Sequence, residues 1–294
     1  MTNLPNLFVL GAPKAGTTGF VAALKNHPQI FVPDKKEPRF FDAHVYYDFE
    51  EDRPLQSLED YLKLYSIARS NSHDYRVDGS VFNMYSEKSI SDILRLSPDA
   101  KFIIILRDPL SAVKSMFSQR LKYVEPYLRE ISEDFDECWQ LMKVRKKGQN
   151  FPTGCRNKIL FQYDFLYAYE NHIPFIIDSV DNKNLYIGSY KKLKIKPKEF
   201  YSEVVEFLDL KSEVGNRIEN TSYHVKPSHV MKLLGRIPSR SQNVRKKVGL
   251  YGSHIDFIIN KLFIARASEI NIGNSLDNEI SSFFSKTYEY LDEI

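Results

Sequence analysis

The stretch LFVLGAPKAGTTGFVAAL, residues 7–24, constrains the fold of this chain more than any other. Leu7 to Leu10 form a short apolar run ended by Gly11, the pattern of a buried strand. Thr18 to Lys25 carry Phe20, Val21, Ala23 and Leu24 and read as a helix, which Asn26-His27-Pro28 stops. A glycine-rich turn between a buried strand and a helix is the setting of a phosphate-binding loop, because the first turn of the helix presents free backbone N–H groups to an anion. The loop Gly11-Ala12-Pro13-Lys14-Ala15-Gly16-Thr17-Thr18 nearly spells G-x-x-x-x-G-K-[ST]. Its second glycine is in place. Thr17, however, stands where the lysine belongs, and the lysine sits three residues earlier, at Lys14.

Two more units repeat the strand-then-helix pattern. Lys101 to Arg107 is apolar on both faces, as strands of parallel sheets are. Asp108-Pro109 then opens a helix to about Tyr123: Asp caps, and Pro suits the first turn. Asn184 to Tyr190 reads as a third strand, followed by a helix from about Pro197 to Leu208; Ile280 to Leu291 reads as an amphipathic closing helix. Alternating strands and helices predict an α/β fold, a central parallel sheet flanked by helices. With 294 residues and no linker or repeat, one domain over residues 1–294 is the simplest organisation.

The formal net charge of +3 is too small to argue for a nucleic-acid partner. The basic runs Arg145-Lys146-Lys147, Lys191 to Lys198 and Arg245-Lys246-Lys247 are expected to be solvated faces. No apolar run reaches the length of a membrane span, and no basic-then-apolar leader occurs at the start. The two cysteines, Cys138 and Cys155, and the seven dispersed histidines suggest neither a disulfide framework nor a metal site. A cytoplasmic protein is the expectation.

The lysine position bears on the chemistry. In nucleoside triphosphatases a lysine and a bound Mg²⁺ offset the charge of two phosphates. A sulfuryl group carries less charge, and one ammonium aimed at the leaving oxygen can suffice for its transfer without a metal. Lys14 is placed for that task. Two other readings stay open: a P-loop kinase using ATP and Mg²⁺, with Asp108 as metal ligand, and a nucleotide- or glycan-binding protein without catalysis.

Four segments together resemble one family. PKAGTT resembles the 5′-phosphosulfate loop of sulfotransferases that use 3′-phosphoadenosine 5′-phosphosulfate (PAPS). KEPRFFD, Lys36 to Asp42, resembles the segment with the catalytic acid in carbohydrate sulfotransferases of the heparan sulfate type. LRDPLSAVKS, Leu106 to Ser115, resembles their 3′-phosphate site, and Asn184 to Leu210 their later strand-helix unit. The resemblance spans roughly residues 6 to 211. It implies a P-loop-like sulfotransferase fold, PAPS as donor with adenosine 3′,5′-bisphosphate as product, a carbohydrate hydroxyl or amine as acceptor, and no metal. It assigns Glu37 as general base and Lys14 as the charge at the leaving oxygen. Lys14, Ala15, Gly16, Thr17 and Thr18 would hold the phosphosulfate, and Arg107 and Ser115 the 3′-phosphate. Phe40 and Phe41 are expected to anchor the Glu37 segment in the core.

Two departures from the family pattern stand out. Gly79 stands where the family often has a lysine, leaving Asp78 and Ser80 as candidate acceptor contacts. The lysine-glycine-arginine loop over the nucleotide has no clean copy; Lys226-Pro227-Ser228 or Arg245 to Gly252 are the stretches that can supply such cover.

Overall fold

Five strands make one parallel sheet in the order β2-β3-β1-β4-β5. They are β1 (Leu7–Gly11), β2 (Ile30–Phe31), β3 (Tyr75–Asp78), β4 (Lys101–Leu106) and β5 (Leu185–Ser189). The computed structural model describes residues 4–68, 73–123, 125–211 and 274–293, all within the unit formed by Met1–Arg217 and Asn271–Ile294. The possible covering stretches near Lys226 and Arg245 lie outside the described residues.

The two most apolar strands sit together at the centre. Leu7 to Leu10 and Phe102 to Ile105 are wholly buried, so both faces of β1 and β4 are covered. The flanking helices are α1 (Thr17–Leu24), α2 (Glu87–Leu96), α3 (Pro109–Leu121), α4 (Tyr190–Ile195), α5 (Pro197–Phe207), α6 (Asn274–Phe283) and α7 (Ser285–Glu293). The α/β architecture read from the sequence is therefore the one found. Helix α3 begins as its sequence dictates: Asp108 Oδ1 accepts from Ser111 N–H at 2.8 Å, and Pro109 fills the first turn. The expected closing helix is two helices meeting at Phe284. Among the described residues no helix is long and apolar enough to cross a membrane.

Two strands are not apparent from the sequence pattern. β2 is only two residues long, and β3 reads YRVD, in which two of four side chains are charged. The charges of β3 have partners within the protein, most of them distant in sequence. Arg76 donates to the Leu4 and His73 carbonyls, and Asp78 accepts from Tyr61 Oη at 2.7 Å.

The run Arg145-Lys146-Lys147 corrects its expected exposure. Lys147 is exposed and the Lys146 side chain largely so, but the Arg145 side chain is fully buried. Its fork meets Glu130 twice, at 2.7 and 3.0 Å, and it donates to the carbonyls of Asn150 and Phe161 at 3.1 Å each. Tyr163 Oη adds a bond to Glu130 at 3.3 Å. Burial with every charge matched is the condition under which an internal ion pair is tolerated.

Candidate active site

The loop after β1 owes its shape to two glycines. Gly16 caps α1 in the left-handed region (φ 78°), and no side chain caps that helix. A Cβ on Gly16 would come 2.9 Å from the Tyr190 ring, and one on Gly11 would come 2.3 Å from Met84 Sδ. A side chain at either position would displace its neighbour. The first N–H groups of α1 therefore face an open space, flanked by the Thr17 and Thr18 hydroxyls. Lys14, itself left-handed at φ 67°, turns into the same space. Burial lowers its pKa to about 8, helped by the positive charges of Arg120, Arg107 and Lys122. Ala15 is the one predicted loop contact that is wholly buried; only its backbone can serve.

Glu37 reaches this space from the segment after β2. That segment is anchored as its sequence predicts. Phe41 packs against Phe8 and Tyr61, and Phe40 stacks on Tyr61 at 4.7 Å between ring centres. Phe41 is buried, which is worth about 1.5–3 kcal/mol, while Phe40 is only partly covered. Glu37 Oε1 accepts from Lys36 Nζ at 2.8 Å, and Oε2 pairs with Arg39. Burial alone pushes the carboxyl pKa up. The charges of Arg39 and Lys36 outweigh it, so Glu37 is held below the usual glutamate range, as a carboxylate. Arg39 also pairs with the buried Asp42 at 2.9 Å and lies 3.9 Å over the Tyr46 ring.

The Gly79 departure has a structural counterpart. The Lys36 stem lies across Gly79, so that a Cβ there would sit 3.0 Å from Lys36 Cε and 3.0 Å from its carbonyl oxygen. From this position Lys36 Nζ reaches both Thr17 Oγ1, at 3.3 Å, and Glu37. An ammonium therefore does bridge the loop and the carboxylate, delivered by a different residue. Asp78 and Ser80 are corrected as acceptor contacts. Both are 0% exposed, and they hold one another and the Arg39 backbone through bonds of 2.8 and 3.0 Å.

Arg107 and Ser115 arrive from β4 and α3. Arg107 donates to the Lys14 carbonyl at 2.8 Å and lies 4.7 Å over the Tyr190 ring, while its buried Nε has no partner. Together with the loop and Glu37, Arg107 and Ser115 line one cavity of about 500 Å³, a volume suited to a nucleotide-sized ligand. The segments leaving β1, β2 and β4 thus supply one site, at the carboxyl edge where open α/β sheets bind ligands. Asp108, the metal ligand of the kinase reading, spends one oxygen on the α3 cap and the other on Tyr288 Oη.

Sequence reasoning did not single out Lys36, Arg39, Tyr190 or Arg120. Lys36 and Arg39 adjoin Glu37 in KEPRFFD, so their charges were visible. Tyr190 and Arg120 carried no signal, because their roles depend on how α4 and the end of α3 meet the loop.

The model of the "Sulfotransferase family" matches residues 5–213. The membrane-associated sulfotransferase kil1 of Dictyostelium discoideum is 27% identical over 123 residues, 42% of this chain and 24% of that protein. Protein-tyrosine sulfotransferase 1 of Rattus norvegicus is 27% identical over 139 residues, 40% of this chain and 35% of that protein. The matches thus span about a quarter to a third of those relatives' own lengths. A solved sulfotransferase from Alicyclobacillus acidocaldarius superposes with a TM-score of 0.63 at 19% identity, covering 88% of this chain and 94% of that one. A mouse sulfotransferase complexed with PAP gives 0.51 at 14% identity, covering 96% and 83%. At these identities the structural likeness shows the fold.

Proposed function

The chain belongs to the sulfotransferase family, and from that premise we propose that it moves the sulfuryl group of PAPS to a carbohydrate hydroxyl or amine, with Glu37 as general base. The observation that carries this reading is the joint placement of Lys14, Glu37 and Arg107 around one cavity. The family supports sulfuryl transfer, and the mouse relative complexed with PAP supports the donor. The KEPRFFD segment, with its likeness to heparan-type enzymes, supports a carbohydrate acceptor.

The residues present suit such a donor. An uncapped helix N-terminus, two threonine hydroxyls and an unpartnered Arg107 Nε all call for acceptor atoms on an anion. The loop N–H groups, Thr17 and Thr18 bind the phosphosulfate, while Arg107 and Ser115 bind the 3′-phosphate. Lys14 stabilises charge as it develops on the oxygen that leaves. Glu37 accepts the proton of the attacking hydroxyl. Each of its oxygens gives one lone pair to Lys36 or Arg39, and a carboxylate has about four such sites, so room for the substrate proton remains. Lys36 and Arg39 keep Glu37 ionised until the acceptor arrives.

Glu37→Gln tests the reading. With labelled PAPS and a panel of sugars, turnover should fall by about 10²–10⁴-fold, the usual contribution of a general base. Affinity for adenosine 3′,5′-bisphosphate by calorimetry should stay within about threefold. Unchanged turnover removes Glu37 from the mechanism. Failure of the native protein to bind the nucleotide sinks the donor assignment.

A further inference from the structure

Glu37 shares its arginine. Arg39 spreads one guanidinium over two carboxylates: Nη2 pairs with Glu37 Oε2, and Nη1 donates to Asp42 Oδ2 at 2.9 Å. The fork is held in place. Its Cζ lies 3.9 Å over the Tyr46 ring and 4.7 Å over that of Phe82, and the Arg39 backbone N–H donates to Ser80 Oγ at 3.0 Å. The two carboxylates are unequally supplied. Glu37 has Lys36 as a second cation and lines the cavity. Asp42 is 0% exposed, and Arg39 is its only cation among the described residues. Its buried Oδ1 has no hydrogen-bond partner.

A buried carboxylate oxygen without a donor is a ready seat for a proton, because neutralisation removes the cost of the buried charge. The surroundings of Asp42 favour that outcome. Burial is the largest influence and pushes its pKa up to about 6; Arg39 opposes the rise, while Asp78 at the end of β3 and Glu37 add like charge. Burial raises Asp78 as well, but Tyr61 Oη and the Ser80 N–H donate to it and support its charge. Of the two buried aspartates, Asp42 is the one without that support. Tyr46 and Tyr47, also near, are held above the usual phenol range and stay neutral. Glu37 lies on the other side, below the usual glutamate range.

We propose that Asp42 is a positioning residue that sets the basicity of Glu37: the two compete for Arg39, and gain or loss of one proton at Asp42 switches how much of that charge bears on the base. The proposal rests on the reading of Glu37 as general base and adds what controls it. With Asp42 ionised, the Arg39 charge is divided, and Glu37 stays basic enough to take a proton from the acceptor. With Asp42 neutral, the Arg39 charge bears on Glu37 alone and makes it a weaker base. The site is therefore built to slow as pH falls through the Asp42 transition, before Glu37 itself is protonated.

The test labels the carboxyl carbons of Asp and Glu with carbon-13 in the full, ligand-free chain and follows them by NMR from about pH 4 to 8. Asp42→Asn and Glu37→Gln assign the two signals. In the native protein the Asp42 carbon should titrate near pH 6, and the Glu37 carbon should shift with the same midpoint while remaining ionised. In Asp42→Asn that Glu37 shift should vanish. The coupling is reciprocal, so in Glu37→Gln the Asp42 midpoint should fall, by about one pH unit. This arm needs no Asp42 variant and decides the matter if Asp42→Asn does not fold. Labelled PAPS gives the second readout. With a sugar that the native protein sulfates, kcat should carry an acid limb near pH 6. In Asp42→Asn that limb should be gone, and kcat at neutral pH should be lower by about three- to tenfold. An Asp42 carbon that does not titrate above about pH 5 overturns the proposal, as does a Glu37 carbon indifferent to it. An Asp42→Asn enzyme that keeps the native acid limb also overturns it. So does one that loses activity equally at every pH, which makes Asp42 structural only. If the two carbons are coupled but no sugar is sulfated, the control of Glu37 stands and the carbohydrate reading fails instead.

Discussion

Arg145 and Arg120 are both buried arginines, and they teach opposite lessons. Arg145 is closed off: its Nε, Nη1 and Nη2 atoms all have acceptors, and its counter-charge Glu130 is buried with it. Arg120 is buried to nearly the same degree, yet two of its nitrogens have no hydrogen-bond partner among the described residues. The first arrangement completes itself on folding. The second is not completed by any of the described residues. Burial alone therefore does not distinguish a structural cation from a binding one; the tally of hydrogen-bond partners does.

The sharpest way to break that contrast is to open the closed pair. Arg145→Met should destabilise the fold by about 3–5 kcal/mol, because Glu130 is left charged and buried. Urea denaturation measures this, and a loss under about 1 kcal/mol would show that the pair is not structural. The opposite sign is expected for Arg120→Met.

The pH dependence of the open site comes next in size. Lys14 has a pKa of about 8 in the folded chain against 10.5 ordinarily. Affinity for adenosine 3′,5′-bisphosphate should therefore decline above about pH 8, approaching tenfold per unit where Lys14 contributes fully. In Arg120→Met the decline should begin at higher pH. The linkage to stability follows: between these two values the unfolded chain holds the proton that the folded chain has released. The Lys14 contribution to the stability of the ligand-free protein thus rises with pH across that window. A flat affinity profile from pH 7 to 10 would deny Lys14 a charged role.

The smallest expected effect lies between the two arginines. Lys36 is a half-buried cation with one carboxylate partner, and it lies across Gly79. Gly79→Ala should push it away from Thr17 and Glu37 and lower turnover by less than about tenfold, the worth of one ordinary hydrogen bond. A loss of a thousandfold would make Lys36 as important as Lys14.

Much of this was legible in the sequence, for identifiable reasons. Leu7 to Thr18 and Lys101 to Ser115 announce themselves because strand, turn and helix signals coincide within a dozen residues. The likeness spanning roughly residues 6 to 211 agrees with the family match over residues 5–213. β3 was not legible, because Arg76 and Asp78 find partners across the fold and nothing in YRVD says so. The place of Asp78 and Ser80 beside Gly79 makes them candidate acceptor contacts in the sequence; their burial depends on Tyr61 and the Arg39 backbone. Arg145 looked like a member of a basic run for the same reason: Glu130, fifteen residues away, is what draws it inside. Pairing across the fold, unlike periodicity, leaves no local trace.

Helix α3 has a practical consequence for redesign. Ser115 and Arg120, which line the same cavity, are five residues apart on one continuous rod, about 7.5 Å along its axis. The last turn can be exchanged as a cassette, from Gln119 to Tyr123, while the strand ends and the loop stay untouched. Grafting that turn from chains with other residues at these positions would reshape one wall of the cavity and leave Lys14, Glu37 and Arg107 in place.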